Sequence, residues 1–100
     1  MIENNSDNTQ IKNADEMMYQ AGFEKAEKHC NEVELMYQSI TENELRAVVF
    51  FKSYGTEIVN YSVSHLLWSE TDEDWKKMDP IVDMDLHKAI HQVLLENGWL

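Results

Sequence analysis

One cysteine, one proline, three glycines and eight basic residues among 100 are the chain's scarcities. A lone cysteine, Cys30, cannot close an internal disulfide, which excludes a small secreted scaffold held by staples. The glycines, Gly22, Gly55 and Gly98, stand far apart. A loop that cradles phosphate needs them clustered, and neither G-x-x-x-x-G-K-S/T nor G-x-G-x-x-G occurs. The G-x-S-x-G nucleophile elbow is also missing. No apolar run approaches the roughly 18 to 20 residues of a membrane-spanning helix. The opening "MIENNSDNTQIK" has no basic stretch leading into an apolar one, so no signal peptide is expected, and the cytoplasm of a bacterium or of an infected host cell is the expected compartment. The eight bases face nineteen acids, a net charge of -11. Such a chain is repelled by nucleic acid and by anionic membrane, and its largest basic run is Lys76-Lys77.

What remains is an ordinary globular composition, 43% hydrophobic with ten aromatics in the 100 residues. The length suits one domain. Residues 1 to 12 lack periodicity and read as a flexible tail, which leaves residues 13 to 100 as a single globular domain. Asn13, with Glu16 three places on, resembles a capping box. Apolar residues then recur in steps of four and three through Tyr19, Phe23, Ala26, Cys30, Val33, Tyr37 and Ile40, as on a helix. From Asn31 the chain also alternates, with Val33, Leu35 and Tyr37 on one face, so residues 31 to 40 fit either helix or strand. Residues 46 to 68 are rich in Val, Ile, Phe, Tyr and Thr, which favours a hairpin turning at Gly55, although helical spacing through Phe51, Tyr54, Ile58, Tyr61, His65 and Trp68 also fits. A final helix is expected after Asp79 and Pro80, with Val82, Leu86, Ala89, Ile90, Val93 and Leu94 inward and Gly98 as its stop. The expected fold is α+β: an N-terminal helix, a two- or three-stranded antiparallel sheet, a short acidic helix and a C-terminal helix. An all-α helical bundle is the alternative.

The short acidic helix is "SETDEDWKK". Ser69 and Thr71 are capping residues, each with an aspartate three places later, and acids precede lysines as the helix dipole prefers. Capping does not use all the charge. Residues 70 to 85 hold seven acids and two lysines, a net of -5 out of -11. Glu70, Asp72, Glu73, Asp74, Asp79, Asp83 and Asp85, with Trp75 as an apolar anchor, are therefore the candidate partner-binding residues. Glu32, Glu34, Glu42 and Glu44 are next in line.

Catalytic candidates are weak. His87 and His91 lie four apart on the final helix and could share one metal, with Asp83 too far along the column to join both. His29 and Cys30 are sequence neighbours, which a helix points apart. Neither enzymatic activity, nor a metal, nor a cofactor is expected. The functional expectation is a small acidic protein that binds and inhibits a basic, nucleic-acid-handling protein, in the manner of immunity proteins or phage-encoded anti-defence inhibitors, including those of CRISPR complexes, with its carboxylates standing in for phosphates. The alternative is a self-associating structural or adaptor protein, a homodimer paired through open strand edges, whose acidity serves only solubility.

Overall fold

The computed structural model describes residues 13–31, 34–53 and 59–100. Its elements run α1 (Ala14–Gln20), β1 (Glu24–Lys25), a single 3-10 turn (Glu27–His29), β2 (Glu34–Ile40), β3 (Glu44–Lys52), β4 (Val59–Ser69), β5 (Asp74–Met78) and α2 (Met84–Glu96). The strands form one five-stranded antiparallel sheet in the order β1-β2-β3-β4-β5. The domain is α+β, but the expected two- or three-stranded sheet with a short acidic helix is overturned by five strands and two helices among the described residues, and the helical-bundle alternative does not hold.

Two expected helices give way to strands. The first begins where expected, with Asn13 Oδ1 accepting from the Glu16 N–H at 2.7 Å. It ends after seven residues, because Gly22 takes φ 98° and the chain doubles back, the Gly22 N–H donating to the Tyr19 carbonyl and the Phe23 N–H to the Met18 carbonyl. That is the reversed hydrogen-bond pair of a glycine-terminated helix. The helical stripe through Ala26, Cys30, Tyr37 and Ile40 is therefore a coincidence of spacing; the alternation of Leu35 and Tyr37 is the signal that prevails, and Val33 lies outside the described residues. The second loss is the acidic helix. Residues 70 to 73 are instead a hairpin turn and Asp74–Met78 is a strand. The expected hairpin in residues 46 to 68 is present as β3 and β4, with Gly55 outside the described residues.

The final helix starts four residues later than the Asp79-Pro80 signal suggests. Asp83 is its cap, Oδ1 accepting from the Leu86 N–H at 2.8 Å. Pro80 and Val82 fall in an extended, exposed connection. Gly98 is the stop, with φ 68°, and the Trp99 N–H returns to the Leu94 carbonyl at 2.9 Å.

Both helices pack on one face of the sheet. Ala14 and Met18 of α1, Phe23, and Leu86, Ala89, Ile90 and Val93 of α2 close over Tyr37, Val48 and Phe50 to form the core. The helices run antiparallel, so that Glu96 near the end of α2 accepts from the Ala14 N–H at the start of α1, at 2.8 Å. Tyr37 donates its hydroxyl to Asp15 Oδ1 at 2.7 Å, tying β2 to α1. The opposite face of the sheet carries no helix among the described residues.

Candidate interaction surface

The β4–β5 hairpin gathers much of the acidic stretch. Its turn, Glu70 to Glu73, and the first residue of β5, Asp74, present four exposed carboxylates, Glu70, Asp72, Glu73 and Asp74. The cap chemistry read from Ser69 is real but serves another structure: Ser69 Oγ accepts from the Asp72 N–H at 3.2 Å inside the turn. Glu73 takes φ 51°, the left-handed conformation that closes the turn, which is uncommon for a residue with a side chain. Lys76 Nζ lies 2.9 Å from Asp72 Oδ2, an exposed pair of small energetic weight.

Trp75 is not packed on the core. It lies on β5 directly opposite Trp68 of β4, on the helix-free face, the two rings meeting edge to face with centroids 5.4 Å apart. Both are half-buried. Sequence reasoning treated Trp68 only as part of a hairpin or helical stripe. The signal was available in the symmetry of "WSETDEDW", where two tryptophans flank a four-residue turn at equal distance.

A second acidic turn joins the first. The Trp68 N–H donates to the Asn43 carbonyl at 2.9 Å, which holds the β2–β3 turn against the end of β4. Glu42 and Glu44 therefore sit at the same end of the sheet as Glu70 to Asp74. Behind them lies His65, 7% exposed. Its Nε2 is 2.7 Å from Glu44 Oε2 and its Nδ1 is 3.2 Å from the Asp79 carbonyl oxygen. The ring meets an oxygen at each of its two nitrogens. His65 thus fixes Glu44 at the start of β3 and the chain leaving β5.

The remaining candidates are dispersed. Asp79 follows the far end of β5, roughly 17 Å along the chain from Asp74, with its carbonyl on His65. Asp83 is occupied as the α2 cap, and Asp85 stands in the first turn of that helix beside Lys88 and α1. Of Glu32 and Glu34, the first lies outside the described residues and the second begins β2 at the opposite end of β3 from Glu44, paired with Phe51.

His87 and His91 are exposed on α2, and among the described residues no three His, Cys, Asp or Glu side chains gather as a metal-binding group. Cys30 is half-buried after the 3-10 turn, its thiol donating to the Ala26 carbonyl at 3.3 Å, while His29 is exposed.

No family model matches the chain, and no curated protein or solved structure matches it either. No helix among the described residues is long and apolar enough to cross a membrane.

Proposed function

We propose that this chain is a binding protein that inhibits a basic, nucleic-acid-handling partner by covering the positions where that partner holds phosphates. The observation that carries the reading is the convergence of two turns, distant in sequence, around one aromatic pair. Glu42 and Glu44 come from one turn and Glu70, Asp72, Glu73 and Asp74 from the other, at the end of the sheet where Trp68 and Trp75 stand on the helix-free face, with Glu44 and Asp74 turned to the opposite face. Carboxylates at this density steer a positively charged partner and set the rate of encounter. Tryptophan supplies the desolvated contact that slows departure. Asp79, Asp83 and Asp85 take no part in this surface.

The experiment is capture of partners from cells that express the protein, with the wild type compared with two variants. One replaces Glu70, Asp72, Glu73 and Asp74 by their amides; the other is Trp75→Ala. The expected result is a single basic protein that excess DNA or RNA displaces, bound at a slower rate by the amide variant and released faster by Trp75→Ala, the latter by about 2 kcal/mol or more in affinity. Equal capture by all three proteins, or a partner indifferent to nucleic acid, overturns the proposal.

A further inference from the structure

The helix-free face of the sheet mixes apolar with small or uncharged polar side chains and is almost uncharged in a chain of net charge -11. Strand register places alternate residues on it. From β3 come Leu45, Ala47, Val49 and Phe51, and from β4 a row running from Asn60 to Trp68 in steps of two; none of these is charged. Among the described strand residues only three charged ones share the face: Glu24 and Glu34 on the β1–β2 side, and Lys77 on β5. Away from its Trp68–Trp75 end, the face offers a basic partner little to bind.

We infer that this face is the interface of a homodimer, in which two sheets stack about a two-fold axis that lies in the face and runs along β3. Three features make the face complementary to itself under that rotation. The first is charge. β3 is the central strand, so the rotation lays β5 of one copy over β1 of the other. Lys77 stands in the cross-strand row of Leu66, Leu45 and Ile40, and Glu24 in the next row, that of Gln38, Ala47 and Ser64. The rotation keeps each row at its height along the strands, so each Lys77 arrives beside Glu24 of the second copy.

The second feature is shape. Ala47 and Ser64 are small residues among larger ones, and they floor a depression of about 210 Å³. Ile40, on its rim, is 61% exposed. Rotation about β3 carries β2 of the second copy across β4, which seats its Ile40 on Leu66 at the edge of this depression. The third feature is extent. Five strands about 4.8 Å apart, with about 3.4 Å per residue, give a face of roughly 24 by 24 Å before side-chain relief is counted. With that relief the face is of the order of the 800 Å² per partner typical of specific interfaces. Strands that run side by side across the interface are the ordinary aligned packing of two sheets, and a two-fold axis uses the same patch twice.

The edges fit this arrangement better than edge-to-edge pairing. β1 has only two residues, and the exposed outer strand β5 carries Lys76 and Lys77 with Pro80 following it. Short edges, lysines and proline discourage strand addition.

Sedimentation equilibrium of the full chain from about 1 to 200 µM, with circular dichroism of each variant as the check on folding, tests the inference. The wild type is expected to dimerise within that range. Ala47→Arg, which fills the depression with a charge, should weaken dimerisation at least ten-fold. Lys77→Glu and Glu24→Lys should each weaken it several-fold, and the two together should restore it to within about two-fold of wild type. A monomer throughout the range, a dimer indifferent to Ala47→Arg, or a double reversal no better than the single ones overturns it. The charge pair lies on the surface, so its test survives even if Ala47→Arg fails to fold. Neither result depends on the acidic turns, whose amide variant tests the partner proposal separately, whereas Trp75 lies on this face and Trp75→Ala bears on both.

Discussion

Tyr37 shows how one hydroxyl in the core links pH to stability. Its ring is 2% exposed and meets Phe50 edge to face. Burial first, then the hydrogen bond it donates to Asp15, then the nearby negative charge of Asp15, Cys30 and Glu96, all push its ionisation well above the ordinary tyrosine range. An unfolded tyrosine releases its proton near pH 10. The folded chain therefore holds a proton that the unfolded chain loses. The stability from this difference is complete below that pH and is lost as pH rises above it. Tyr37→Phe should cost about 1 kcal/mol at neutral pH through the lost hydrogen bond, and should make the fall in stability above about pH 10 shallower. Urea titrations at neutral and alkaline pH measure both effects; an unchanged alkaline slope in the variant would show that another group controls it.

At the level of elements, cap chemistry is shared between structures, and this decided what was legible. Ser69 and Asp83 each accept a following N–H on a side-chain oxygen. A helix N-terminus and a tight turn satisfy that oxygen in the same way, so the bond from Asp72 N–H to Ser69 Oγ forms in a hairpin where a helix was expected. What separates the two outcomes is cross-strand pairing of Trp68 with Trp75 and of Leu66 with Lys77, which is not local. The body of α2 was legible because Leu86, Ala89, Ile90 and Val93 keep helical spacing over about two turns and all four are buried. Its start was not, because two aspartates four residues apart both suit the cap. Asp83→Ala should cost about 1 kcal/mol, whereas Asp79→Ala, whose backbone carbonyl rather than side chain holds His65, should be nearly neutral. Thermal melts of the two variants distinguish them, and equal losses would contradict the assigned boundary. In α1 the overlooked signal was Gly22: the apolar stripe runs through it, and only its positive φ ends the helix. Of the candidate site, the turn acids and Trp75 could be nominated from composition, with Glu42 and Glu44 next in line, but their meeting at one end of the sheet with Trp68 could not. Glu42, Glu44 and Trp68 lie 24 or more residues apart along the chain from one end of the group to the other and meet only through the sheet.

For the whole molecule, charge is distributed rather than merely abundant. Carboxylates concentrate at one end of the sheet while its helix-free face stays close to neutral. A net charge of -11 opposes a compact state. Raising salt from about 10 mM to 150 mM shortens the screening length from roughly 30 Å to 8 Å. The melting temperature should therefore rise with salt, and less so in the variant whose four turn acids are amides. Calorimetry across that range checks this; a melting temperature that falls with salt would mean that attractive pairs such as Lys76–Asp72 and Lys25–Asp15 dominate the balance. The tryptophans also divide the molecule optically. Trp99 packs against the helix-covered core, whereas Trp68 and Trp75 face each other across two strands on the other side. Two indole rings held 5.4 Å apart at 67° couple their electronic transitions and give a paired circular-dichroism band that neither ring gives alone. The protein thus carries a built-in spectroscopic ruler for the β4–β5 hairpin, readable without a label and separable from the emission of Trp99.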